Sequence, residues 1–313
     1  MQRVVSSTRH KRVRIFSFPL VASGCSVLAW VALSPLFAEP PAGWKLVFSD
    51  EFAGDTLDPD KWSTTMEFVG THGQRYHNEF YLSYTCDDEV VIRDGMLRLR
   101  TDRRTVEGAE TPTIWDYTQG FVSSHDKFSF THGYIEVRAR YPGGSGLWPC
   151  IWLMPQSQIW PPEFDIAEYY ANRRTMHHGL AHGTMREPQW DSTRNNEVDF
   201  EADFHVFALQ WMPGRAVWSV DSQPVKTVTA DYVPNVPMYI ILSNGVSSRF
   251  GPSGTPDENT VFPNAFEIDH VRVYQPAAPA GVEIVKNEEP PKKESALPLP
   301  RIKPAMIPLP AAP

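Results

Sequence analysis

The chain has 313 residues, 42% of them hydrophobic and 21% charged, so there is ample apolar material for a large core. Its formal net charge is −8, and residues 1–38 hold five basic residues (Arg3, Arg9, Lys11, Arg12, Arg14) and no acid, so losing them would take the charge from −8 to −13. Such acidity excludes nucleic acid as a natural partner, and three cysteines exclude a disulfide scaffold.

Residues 3–14 are basic and 15–33 mostly apolar, interrupted by Pro19, Gly24 and several serines, and Ala38 then precedes Glu39-Pro40-Pro41. That layout predicts a secretory signal peptide over 1–38, cleaved near Ala38, with the protein secreted, periplasmic or at the cell surface and no stable membrane association afterwards. The rival is an uncleaved anchor, because 19 residues nearly span a bilayer. A lipid anchor at Cys25 is disfavoured, since apolar residues continue well past it.

From Trp44 to Tyr274 the pattern has period two, again and again, with turns between. Met96-Leu97-Arg98-Leu99-Arg100 follows the hairpin signal Asp94-Gly95, Tyr134–Arg140 alternates cleanly, and Ala216–Val220 and Val271–Tyr274 do so more briefly. No segment sustains a helical period. The expected fold is all-β, an antiparallel sandwich of two stacked sheets over 39–275. Trp211 and Trp218, on alternating strands, belong to its core. Cys86 and Cys150 either pair or sit buried and reduced, with the unpaired state favoured, and no Cys/His cluster has zinc spacing. After Gln275 the composition changes: ten of the 29 prolines fall in Pro276–Pro313, which reads as a disordered or polyproline tail.

One stretch carries chemistry, Trp160-Pro161-Pro162-Glu163-Phe164-Asp165-Ile166-Ala167-Glu168. On a strand, Glu163 and Asp165 share one face while Phe164 and Ile166 enter the core. Strict alternation would bury Glu168 as an unpaired charge, so a single β-bulge between Asp165 and Glu168 is expected, returning Glu168 to the acidic face. The two glutamates would then have Cα atoms roughly 13 Å apart, at ~3.3 Å per residue. Inward-leaning side chains on a curved sheet would bring the carboxyls to the ~5 Å of a retaining glycosidase. Trp148, Trp152 and Trp160 lie close by, and such aromatic rows stack on sugar faces.

Gly146–Pro155, the run Glu163–Glu168 and His178-Gly179-Leu180-Ala181-His182 together resemble the central block of the family 16 glycoside hydrolases, in the E-x-D-x-x-E form of its laminarinase-like and galactanase-like branches. The likeness extends, in the family's order, to Asp50-Glu51-Phe52, Asn78-Glu79, Asp94–Leu97, Tyr117–Gly120, Phe204–Trp211 and Phe266–Tyr274. The resemblance implies a concanavalin-like β-jelly roll of two curved sheets with an open concave cleft for a polysaccharide. It also implies roles: Glu163 the nucleophile, Glu168 the general acid/base, Asp165 the helper between them. Trp148, Trp152, Trp160, His182 and Asn78 are the expected substrate-binding residues. No cofactor is required for catalysis, but many members hold a structural calcium ion, whose matching ligands would be Glu51, the Gly95 carbonyl and Asp269.

The expected activity is endo-hydrolysis of β-1,3- or mixed β-1,3/1,4-glucan with retention, by a monomer. Departures at Phe164, Ala167 and Cys150 leave the charged triad intact. The specificity-bearing stretches Thr71–His77, Val106–Trp115 and Arg186–Asn196, expected as loops, match no subgroup. Red-algal galactans such as agarose, porphyran or carrageenan are therefore the alternative substrates, favoured by Arg75, Arg173, Arg174, Arg186 and Arg194 near the rim. A lectin-like sandwich without chemistry is a further reading, and transglycosylation is open to any covalent intermediate.

Overall fold

The computed structural model describes residues 40–68, 71–75, 79–109 and 113–277. The expected signal peptide, and the tail beyond 277, lie outside the described residues. Regular structure within them is strand from Trp44–Asp50 to Asn264–Pro276, apart from two single-turn 3-10 helices at Asp87–Glu89 and Ala171–Arg173.

The strands make two main sheets. In the ten-stranded sheet the spatial order is Gln223–Thr229, Arg215–Val220, His205–Met212, Gly133–Arg140, Asn264–Pro276, Met96–Asp102, Tyr117–Gln119, Ser83–Thr85, with Trp44–Asp50 and Val90–Arg93 pairing beside it. The seven-stranded sheet runs Phe121–Ser123, Met238–Val246, Leu147–Pro155, Glu163–Tyr170, Thr175–Thr184, Glu187–Asn195, with Ser129–Phe130 on Met238–Val246. One pair departs from the antiparallel expectation: Ser83–Thr85 lies parallel to Tyr117–Gln119. Parallel neighbours need a long crossover, and residues 86–116 supply it.

The hairpin at Asp94-Gly95 forms as expected. Arg93 pairs with Met96 across a two-residue turn, and Asp94 and Gly95 have φ of 56° and 71°, both in the left-handed region that a type I′ turn requires.

Alternation decides what goes between the sheets. Leu97, Leu99, Ile135 and Val137 from one sheet meet Ile151, Leu153, Phe164 and Leu180 from the other in a single apolar cluster. Trp211 and Trp218 lie in it fully buried, and the Phe164 ring stands edge-on to both at 5.4 and 5.6 Å. Truncating an aromatic side chain in such a core costs about 3–5 kcal/mol, so the strand carrying the acidic residues is firmly anchored. The opposite phase of the seven-stranded sheet faces away from this core. There Met66, Phe121, Cys150, Trp152, Met154, Tyr239 and Ile241 form a second, smaller apolar cluster, with Trp148 and Trp160 packed against it.

Candidate active site

The strand Glu163–Tyr170 carries the bulge expected from its sequence. Glu163 pairs with Ala181, Asp165 with Gly179 and Glu168 with His177, and the register shifts between Asp165 and Glu168. The strand on the other side shows the matching irregularity, Ile151 opposing Ala167 and Trp152 opposing Asp165. Phe164, Ile166 and Ala167 are buried in the core while Glu163, Asp165 and Glu168 share the open face.

A bulge leaves carbonyls off the ladder, and buried carbonyls need donors. Three side chains supply them from the core side. Trp218 Nε1 donates to the Asp165 carbonyl at 2.9 Å, His178 Nδ1 to that of Ile166 at 2.6 Å, and the Tyr141 hydroxyl to that of Ala167 at 3.2 Å. Burial holds the His178 imidazole down at about 4, so it is the neutral ring that donates.

On the open face each glutamate has its own donors. Trp160 Nε1 donates to Glu163 Oε2 at 2.8 Å. Trp148 Nε1 donates to Glu168 Oε1 at 2.8 Å and the Tyr170 hydroxyl to Glu168 Oε2 at 3.0 Å. His177 Nδ1 lies 2.8 Å from the same Oε2 and 4.0 Å from Asp165 Oδ2. Gly179 has no side chain here for a steric reason: a Cβ would stand 2.8 Å from His177 Cε1 and 2.9 Å from Asp165 Oδ2.

Desolvation pushes the Glu163 carboxyl up to about 7, with the nearby Glu168 charge adding to it and hydrogen bonds from Asp165 and Trp160 opposing it. Burial raises Asp165 well above the usual carboxylate range, and Glu163 and Glu168 add to the rise. The two therefore titrate as a set that retains a proton, with Asp165 its holder. Burial opposes charge on His177, but Glu168 and then Asp165 outweigh it, and its titration moves upward.

The remaining expected residues divide. Trp148 and Trp160 are half-buried at the carboxylates, and Tyr81 stacks on Trp148 at 4.7 Å. Trp152 is not a sugar platform: it is only 6% exposed, in the floor cluster, with its Nε1 donating to Ser243 Oγ at 3.3 Å. His182 is not beside the acid/base either. It has the core-side parity of His178 and Leu180 and stacks on Tyr232, ring centroids 3.9 Å apart. The histidine at Glu168 is His177, because the bulge sets the pairing register and odd residues of Thr175–Thr184 reach the open face. Asn78 lies outside the described residues.

Of the expected calcium ligands, Glu51 is held by Arg272 through both carboxylate oxygens at 2.8 and 2.7 Å, and Asp269 by Arg138 at 3.2 Å and His270 at 3.1 Å. An ion shared with the Gly95 carbonyl would have to displace both arginines, so the residues as arranged do not fit it. Cys86 and Cys150 are free thiols, Cys150 on the open face opposite Glu168.

Sequence reasoning missed several neighbours. Tyr170 was within reach of it, two residues after Glu168 and so on the same face. His177 and Trp190 were not, since their place depends on partner strands. The segment 186–196, expected as a loop, is mostly the edge strand Glu187–Asn195, where Trp190 pairs with Ala181 and lies 6.5 Å from Trp160 and 6.4 Å from His177, ring to ring.

The arrangement is two glutamates flanking a buried aspartate on an aromatic-lined sheet face, and the chain that builds it matches known proteins in sequence and in fold. The profile of Glycosyl hydrolases family 16 matches residues 67–255. A β-glucanase of Rhodothermus marinus is 31% identical over 288 residues, 85% of this chain and 96% of that enzyme. A keratan-sulfate endo-1,4-β-galactosidase of Sphingobacterium multivorum is 29% identical over 250 residues, spanning 74% of this chain and 55% of that protein. Among solved structures, the catalytic domain of an endo-1,3-β-glucanase (laminarinase) from Thermotoga petrophila superposes with a TM-score of 0.63 at 28% identity, over 74% of this chain and 98% of that one. The jelly roll, the profile match and the near-complete coverage of a β-glucanase agree: the chain belongs to glycosyl hydrolases family 16, in its laminarinase-like branch, and is a glycoside hydrolase.

Proposed function

We infer that the enzyme cuts β-1,3- or mixed β-1,3/1,4-glucan internally, with retention, by double displacement. The observation that carries this reading is the bulge, which sets Glu163 and Glu168 on one face to either side of Asp165. Glu163 attacks the anomeric carbon while Glu168 gives a proton to the departing oxygen. Asp165, which holds its proton tightly, keeps that proton on its own oxygen and hydrogen-bonds Glu163, leaving Glu163 the anion that attacks. Trp160 Nε1 fixes the direction of that carboxylate. Once Glu168 has lost its proton, Trp148, Tyr170 and His177 stabilise the carboxylate that remains. In the second half-reaction Glu168 takes a proton from water, and the oxygen of that water displaces Glu163 from the sugar. Trp148, Trp160 and Trp190 offer the aromatic surfaces for sugar rings, over a floor that includes Trp152. The N-terminal segment supports a site of action outside the cytoplasm.

Sulfated galactan is the second reading, and one residue favours it. Of the rim arginines, Arg75 is tied to Asp87 and Arg174 to Asp199 and Glu201. Arg194 is exposed on the open face, paired in register with His177, where it would meet an anionic substituent. The galactosidase relative points the same way.

The test is product analysis on laminarin, barley β-glucan, agarose and keratan sulfate. Release of oligosaccharides from the first two with retained anomeric configuration supports the reading, and cleavage of only the galactans replaces it with the second. Glu163→Gln lowers the rate by roughly four orders of magnitude or more, whereas a lectin-like binder would be unchanged by it.

A further inference from the structure

We propose that Asp165, Glu168 and His177 also form a binding site for a divalent transition ion of the zinc type, and that the ion, when bound, turns the enzyme off. The binding does not depend on the glucan reading, because the site is defined by ligand atoms and not by a sugar; the inhibition rests on the acid/base role given to Glu168 in that reading.

Among the described residues these three make the grouping in which a carboxylate oxygen of each acid and a nitrogen of the histidine all lie within 4.8 Å of one another. Two of the separations are specific: His177 Nδ1 to Glu168 Oε2 is 2.8 Å, and His177 Nδ1 to Asp165 Oδ2 is 4.0 Å. A four-coordinate zinc ion with ligands at about 2.1 Å keeps neighbouring donor atoms about 3.4 Å apart. The observed separations bracket that value, so shifts well within side-chain reach close the set.

A second observation points to a ligand. Asp165 is 4% exposed, and its Oδ2, turned toward His177, accepts no hydrogen bond. A buried acceptor oxygen without a donor is costly even on a neutral acid, and a cation between it and the imidazole would satisfy it. The floor leaves room, because residue 179 is glycine and any Cβ there would stand 2.9 Å from that same oxygen. The donor set selects the ion. Calcium and magnesium take oxygen almost exclusively, whereas one imidazole nitrogen with two carboxylate oxygens suits zinc, cobalt or copper, with water completing the shell.

The consequence follows from the atoms involved. An ion on Glu168 Oε2 occupies the oxygen that the acid/base proton needs and holds the carboxylate away from the departing oxygen, so the ion acts as a reversible inhibitor.

The test uses the full chain, stripped of metal with EDTA. Calorimetric titration with zinc chloride should show one ion per chain. Cobalt chloride should give the visible absorption of a four- or five-coordinate ion with nitrogen ligation. Activity should fall in step with zinc occupancy of the site and return on adding EDTA. His177→Ala and Asp165→Asn should each weaken zinc binding by about tenfold or more, whereas His182→Ala and His205→Ala, which alter histidines elsewhere, should leave it unchanged. The near-isosteric Asp165→Asn keeps the test open if His177→Ala misfolds, with circular dichroism checking both. No stoichiometric binding, or zinc affinity unchanged in both site variants, overturns the proposal whatever polysaccharide the enzyme proves to cut.

Discussion

The two faces of the strand Glu163–Tyr170 use the same kinds of donor for opposite ends. Toward the open side, indole and phenol donors from Trp160, Trp148 and Tyr170 reach carboxylates that have to change charge or bond during a reaction. Toward the core, an indole, an imidazole and a phenol from Trp218, His178 and Tyr141 reach backbone carbonyls that must not move at all. One set tunes the groups and the other holds the bulge that presents them. The lesson is that the reactive face depends on a hidden one, since without the three inner donors the extra residue would leave buried carbonyls unsatisfied and the phase of Glu168 would lose its support.

Breaking the outer face should affect rate and spare the fold. Glu168→Gln should lower kcat by roughly 10²–10⁴-fold on natural glucan, with a smaller loss on an aryl glycoside whose leaving group needs no proton. Circular dichroism should be unchanged. Breaking the inner face should affect both. Trp218→Phe keeps most of the ring but orphans the Asp165 carbonyl, at a cost of about 1–3 kcal/mol, or roughly 2–4 °C of Tm per kcal/mol in a domain of this size. Its kcat should fall while KM moves little, because the reacting groups lose alignment. A pure loss of Tm with kcat intact would separate the bulge from the chemistry and sink the comparison.

Two further measurements sharpen it. Glu163 holds its proton to about 7 in the folded chain, against an ordinary 4.5. An acid that binds its proton more tightly when folded costs stability above its unfolded pKa, so this group's contribution falls as pH rises from about 4.5 to 7 and is flat outside that window. Glu163→Gln should therefore raise Tm at pH 7 and leave it unchanged at pH 4, a stability gain at the expense of activity. The smallest effect belongs to Trp160→Phe. Its indole holds the Glu163 titration down, so removing it should shift the acidic limb of the kcat/KM profile to higher pH, since Glu163 must be ionised to attack. An unmoved limb would show that the bond at Trp160 only positions the ring.

Much of this is legible in the sequence. The period-two pattern from Trp44 onward predicts the sandwich, and the cost of burying Glu168 predicts the bulge at the point where the register shifts. Trp211 and Trp218 read as core, and Trp148 and Trp160 as site. Errors arose where a side chain's role depends on a partner strand. Trp152 has the same parity as Trp148 but is a buried member of the floor cluster, with Trp148 packed against that cluster. His182 and His177 are both histidines of one strand, and only the pairing with Glu163–Tyr170 shows that His177 faces the carboxyls while His182 faces the core side.

Alternation of side chains and the penalty for an unpaired buried charge are local, so the chain's own letters determined the all-β class, the acidic row and the extra residue within it. Which histidine meets Glu168, which indoles donate and to what, and which arginines are tied up in ion pairs were settled only when strands distant in the sequence came into register. Those contacts depend on separations of a few ångströms between residues tens of positions apart, and no local pattern encodes them.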